Sequence, residues 1–238
     1  ALNILRETVM GKELFDHAFK TYAQRWMFKH PTPEDFFRTM EDASAVDLDW
    51  FWRSWFYTTD YVDIGIKGVK KFFVSTKPDK EYMAARNYTD DNFPPYVYLV
   101  DEQSEGFDPS LIGKKPSEVS QPLKEYMMDN LTADERAAIN EPKYFYEVTF
   151  NKPGGIPMPL RVEYKYADGT TENITYPPEI WRRNDVDVKR VVSSEKEIVS
   201  IIVYPKGETA DIDVTNNGWP KKEEKSDFNQ FKEAIKGK

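Results

Sequence analysis

The pattern of apolar and polar positions divides the chain near residue 60. Before that point apolar residues recur at helical spacing. Leu2, Leu5 and Val9 fall on one face, and Gly11 follows as a stop. Leu14, Phe15, Ala18, Phe19, Tyr22 and Trp26 continue at i, i+3, i+4, which predicts an amphipathic helix. Thr32-Pro33-Glu34-Asp35 is a helix start: a hydroxyl cap, proline in the first turn and two acids at the positive end. That helix turns Phe36, Phe37 and Met40 inward. Asp47 is expected to cap the next one, which carries Trp50, Phe51, Trp52, Trp55 and Phe56 and is apolar nearly all round. A helix of that kind is expected to be buried between the helical unit and the domain that follows.

From residue 61 the period shifts toward two. "YVDIGIKGVKKFFVST" alternates as a strand pair would. In "LRVEYKYADGTTENITY" Val162, Tyr164 and Tyr166 alternate with polar residues, Asp168-Gly169 supplies a turn, and Thr171, Asn173 and Thr175 alternate back, which predicts a hairpin. "VKRVVSS", "EIVSIIVYP" and "TADIDVTNN" read as three more strands. Short strands separated by turn signals predict an antiparallel sandwich.

Residues 78–143 interrupt this pattern. They are rich in Pro, Asp, Asn and Tyr, with one strand at "PPYVYLV" and one short helix in "LTADERAAINEP", opened by a capping box from Thr132 to Glu135. They read as an insertion or small subdomain. The fold class is therefore α+β. Residues 1–60 form a helical segment, 61–220 a β-sandwich-like domain with its insertion, and 221–238 a charged tail in which "DFNQFKEAIKGK" is expected to form one terminal helix.

Composition narrows the function classes. The net charge of -8 lacks the cationic face that nucleic-acid binding needs. No apolar run is long enough to span a bilayer. With no cysteine, disulfides and thiolate metal sites are excluded. Residue 1 is Ala, not Met, so the chain is expected to be processed or cut from a longer polypeptide.

The residues that carry chemistry are sparse. Of the two histidines, His17 lies one turn from Glu13 and His30 precedes Pro31. Neither completes the H-E-x-x-H helix of a zinc hydrolase, which needs two imidazoles one turn apart. Ser193-Ser194 has no local histidine, and there is no G-x-S-x-G elbow. Gly154-Gly155 lacks the Lys-Ser/Thr of a phosphate loop and reads as a strand connection. Acid pairs occur at Asp47/Asp49, Asp90/Asp91, Asp185/Asp187 and Asp211/Asp213. The last lacks the glycine and terminal glutamate of a calcium loop and reads as the solvent face of a strand. No residue is assigned a catalytic, cofactor-binding or metal role.

The first 59 residues, "ALNILRETVMGKELFDHAFKTYAQRWMFKHPTPEDFFRTMEDASAVDLDWFWRSWFYTT", resemble the aminopeptidase N-like zinc metallopeptidases (gluzincins), most closely the bacterial Bacteroidetes type. Gly11, the Phe15-to-Tyr22 spacing, Thr32 with Asp35 and Phe36, and Asp47, Leu48, Phe51 and Trp55 carry the resemblance. Ala45 departs from it, because the family commonly has Gly there. The rest of the chain is similar, more loosely, to a β-rich C-terminal region.

The resemblance implies the end of a thermolysin-like catalytic lobe. The H-E-x-x-H, the third zinc ligand and the transition-state tyrosine would then lie upstream of Ala1. On this view the parent is a periplasmic or extracellular zinc aminopeptidase, and this chain alone is inactive and holds no zinc. Its partners would be the upstream catalytic domain of the same polypeptide and, in the parent, a peptide substrate. The alternatives are a non-catalytic relative of such peptidases, or a free-standing sandwich that binds a protein, peptide or glycan, with the aromatics of "EYMAARNYTDDNFPPYVYLV" serving as contacts or as a small core.

Overall fold

The computed structural model describes residues 1–140 and 144–221. The terminal helix expected within 221–238 lies outside the described residues beyond Lys221. Within them the fold is α+β: a helical unit, then two four-stranded antiparallel sheets.

The helical unit contains α1 (Leu2–Ile4), a wide π turn over Leu5–Met10, α2 (Lys12–Trp26), α3 (Pro33–Ser44) and α4 (Asp49–Tyr57). Gly11 ends the first pair at φ 83°. The winding over 5–10 is wider than the expected α period. Its carbonyls at Glu7 and Thr8 accept from Arg161 Nη2 at 3.1 Å each, and Thr8 Oγ1 donates to the Glu208 carbonyl at 2.8 Å. Outside donors of this kind compete with the i→i−4 ladder. Thr32 caps α3 as expected and forms a reciprocal box with Asp35. Asp47 does not cap α4. Leu48 occupies that position, its N–H held by Glu41 Oε1 at 2.9 Å, while Asp47 accepts from the Asp49 N–H at 3.2 Å.

Sheet one has the order β2-β1-β3-β6, with β1 at Gly65–Ser75, β2 at Tyr98–Asp101, β3 at Tyr144–Asn151 and β6 at Asp187–Ser194. Sheet two has the order β5-β4-β7-β8, with β4 at Leu160–Tyr166, β5 at Thr171–Tyr176, β7 at Ile198–Val203 and β8 at Gly218–Trp219. Ile66, Val148 and Phe150 from sheet one meet Leu160, Val162, Tyr164 and Ile201 from sheet two in one core. The inner faces alternate with polar outer positions, the signature of stacked sheets.

Two strand expectations are corrected. Residues 61–76 contain one eleven-residue strand, Gly65–Ser75, bulged between Ile66 and Gly68, and not a pair. Gly68 does not adopt the positive φ of a hairpin turn. "TADIDVTNN" is a loop, joined to Val62 by a single bridge at Asp211. Asp211 accepts from the Asp213 N–H at 3.1 Å and Asp213 from the Thr215 N–H at 3.0 Å. These local bonds replace a ladder. The acids there are therefore not a strand's solvent face. The hairpin at Asp168-Gly169 forms as expected, with Gly169 at φ 85°.

Residues between β1 and β3 form the insertion, since those strands are neighbours. It holds α5 (Lys80–Ala85), β2, α6 (Pro116–Val119), α7 (Gln121–Asn130) and α8 (Ala133–Asn140). The Thr132–Glu135 box opens α8.

Candidate functional site

Three features lie on the helical unit and its junction with the sandwich. The first is a row of aromatic rings that runs from core to surface. Phe37 stacks on Trp52 at 4.5 Å between centroids, and Phe36 stands edge-on to Tyr22 at 4.9 Å and to Trp52 at 5.7 Å. Phe15, Phe37, Phe51 and Trp52 are buried. The row continues outward to Phe19, Phe56 and Tyr57, which are 42%, 47% and 62% exposed. α4 is thus buried on one side only, against the expectation of burial all round. Phe28, 98% exposed, follows α2 in the left-handed region at φ 62°.

The second feature is acidic. Glu41, Asp47 and Asp49 place carboxylate oxygens within 4.8 Å of one another at the start of α4. Burial pushes the Glu41 carboxyl above its usual range. The Leu48 N–H opposes that rise, and Asp49 and Asp47 add to it. Asp47 and Asp49 are exposed and sit at the positive end of α4, which stabilises them without a cation. Zinc favours nitrogen and sulfur donors, so this all-oxygen group does not fit it. His17 and His30 are exposed, one on α2 and one in the loop before α3.

The third feature is a cleft of about 400 Å³ between the helical unit and the sandwich. Asp49 and Trp50 line one wall. Pro157 and a 3₁₀ turn at Pro178–Trp181 form the other. Trp181 is buried with its Nε1–H committed to the Met158 carbonyl at 3.0 Å, so only its ring remains to line the cleft.

Of the remaining sequence candidates Asp185 lines the cleft, and the others lie apart from these features. Ser193 and Ser194 end β6, and Gly154-Gly155 joins β3 to β4. A Cβ on Gly154 would meet the Tyr61 carbonyl oxygen at 2.3 Å, so the glycine permits close backbone approach. Asp90 pairs with Lys77, and Asp185 with the buried Lys152. In the insertion, Tyr82, Phe93 and Tyr96 surround the buried Tyr98, and the Arg86 guanidinium stacks on Tyr82 at 3.9 Å. These aromatics build a small core, with Tyr96 left 65% exposed.

Sequence reasoning missed Glu41, Lys152 and the cleft. The cleft's walls lie over a hundred positions apart, beyond the reach of any local pattern. No protein-family model matches the chain, and no curated protein matches it. Among the described residues no helix is long and apolar enough to cross a membrane.

Proposed function

We propose that this chain is the C-terminal part of an aminopeptidase N-like zinc metallopeptidase. Residues 1–60 would complete the helical lobe, and the sandwich would pack behind it and shape access to the substrate cleft. The supporting observation is the aromatic row, which passes through the core of α2, α3 and α4 and stays uncovered at Phe19, Phe56 and Tyr57. A self-sufficient helical unit would close such a face, and an uncovered one fits a partner element. That partner is the upstream catalytic domain of the same polypeptide.

In such peptidases zinc supplies Lewis acidity to the scissile carbonyl and to bound water. The all-oxygen group of Glu41, Asp47 and Asp49 is a poor match for zinc, and no catalytic step is assigned to it. The chain's contribution is structural: a helical wall and an abutting domain.

A second reading rests on the sandwich, which has a core of its own against which Ile4, Val9 and Trp55 of the helical unit pack. It makes the chain a binding module, with Tyr96 and its neighbours as contacts. Two measurements test the proposal, and the second separates it from the module. Purified chain is expected to hold no stoichiometric zinc and to hydrolyse no aminoacyl arylamide; zinc-dependent turnover would overturn the proposal. The coding frame upstream of Ala1 is expected to contain H-E-x-x-H, a later Glu and a Tyr just before Ala1. A start codon at Ala1 would leave the module.

A further inference from the structure

The junction cleft has a composition that selects its occupant. Asp47, Asp49, Glu179 and Asp185 supply four carboxylates at its rim, against the single guanidinium of Arg182. Asp185 is engaged by Lys152 at 3.1 Å, whereas Asp47, Asp49 and Glu179 form no ion pair within 4 Å among the described residues. The less exposed part of the lining is apolar: Trp50, Pro157 and Pro178, with Trp181 buried among them. Its volume of about 400 Å³ lies within the ordinary range for ligand pockets.

An anionic rim above indole and proline rings is complementary to a cation that is planar and weakly hydrated. Carboxylates engage a guanidinium through paired hydrogen bonds, and indole faces attract it through their quadrupole. An ammonium is more strongly hydrated and presents no flat face to stack. A neutral apolar ligand would make no use of the net negative charge of this rim.

We propose that this cleft binds the arginine side chain of a peptide. Trp50 would receive the guanidinium plane, and Asp49 and Glu179 would hold its edges from opposite walls. The proposal goes beyond the peptidase reading and does not require it, because the cleft consists wholly of residues of this chain.

The test is calorimetric titration of the purified chain with acetyl-Gly-Arg-Gly-amide. The control replaces Arg with citrulline, which keeps the shape and removes the charge. The arginine peptide is expected to bind at least about tenfold more tightly than the control, and to weaken by about as much in D49N/E179Q. Arg182→Ala removes the competing cation and is expected to tighten binding. That gain cannot come from loss of folding. Equal affinity for the two peptides, unchanged affinity in D49N/E179Q, weaker binding by Arg182→Ala, or no binding of the arginine peptide would each overturn the assignment. So would calcium chloride binding at the same residues with no competition from the peptide, which would mark a cation site only.

Discussion

Tyr146 of β3 accepts the backbone N–H of Ile198 of β7 through its phenolic oxygen at 2.8 Å, across the interior between the two sheets. Both residues are buried, Tyr146 at 1% and Ile198 at 0% exposure. The bond satisfies a donor at the start of β7 that no strand neighbour reaches. Burial raises the phenol well above the ordinary tyrosine range, so it stays neutral throughout the working pH range.

Tyr146→Phe is expected to keep the packing and orphan the Ile198 N–H, which costs about 1–3 kcal/mol. The urea midpoint falls and the slope stays constant. Tyr164→Phe is the contrast. Tyr164 Oη is buried and completes no hydrogen bond of ordinary geometry, so its removal is expected to change stability by less than about 0.5 kcal/mol. Equal losses in the two variants would show that the Tyr146 bond contributes nothing specific.

Ala45 closes α3 at φ 56°, ψ 28°, with its N–H donating to the Glu41 carbonyl at 2.7 Å. A left-handed cap costs a residue with a Cβ about 1–2 kcal/mol, and glycine's extra freedom in the unfolded chain offsets about 0.4–1 of that. Ala45→Gly is therefore expected to stabilise the chain by about 0.5–1 kcal/mol. Thermal unfolding should shift up by about 1–4 °C. The position is exposed, so packing does not confound the measurement. A lower melting temperature would refute the strain argument.

These two sites mark what the sequence disclosed and what it did not. Local signals were legible: the Thr32 and Thr132 boxes, the Asp168-Gly169 turn, and the helical period of α2 and α3. Each rests on residues within a few positions of one another. Tertiary features were not. The Asp211-to-Thr215 bonds turn an alternating stretch into a loop, because short acidic side chains compete with the ladder. Periodicity marked Phe19 and Phe56 as apolar and said nothing of whether anything covers them. The cleft joins Asp49 to Glu179, and only folding brings them together.

Lys152 illustrates the same limit from the interior. Its side chain is 2% exposed, and its ammonium donates to the carbonyls of Gly154 and Gly155 at 3.1 and 3.3 Å while pairing with Asp185 at 3.1 Å. Asp185 is 88% exposed, so its charge stays in water and the ion pair itself contributes little. The carbonyl bonds decide the outcome. Asp185→Asn is expected to cost less than about 0.5 kcal/mol. Lys152→Met fills the space but leaves the two carbonyls unpaired, at about 2–3 kcal/mol. Chemical denaturation of the two variants distinguishes these contributions, and a larger loss at Asp185 would reverse the assignment.

The final prediction concerns pH. Asp211 binds the loop after β7 to the start of β1, accepting from the Asn217 amide at 3.2 Å and the Ile64 N–H at 3.5 Å. Burial raises its carboxyl above the ordinary aspartate range. These donors and the Asp213 N–H oppose the rise, and the neighbouring Asp63 adds to it. Asp63 is itself 8% exposed and accepts from Asn216 Nδ2 at 2.8 Å. Because the folded value is raised, the fold favours the protonated acid. That contribution is complete below the unfolded value of about 3.9 and is lost as pH rises through the folded one. Asn at this position carries no charge at any pH, although it turns a donor toward Ile64 N–H and Asn217. The absolute effect of Asp211→Asn therefore mixes two terms of opposite sign, and only its pH dependence isolates the charge. The stability of the wild type minus that of Asp211→Asn is expected to decrease from pH 4 to pH 7. Urea midpoints at the two values provide the measurement. A difference that stays constant or grows with pH would mean that the donors, not burial and Asp63, control this carboxylate.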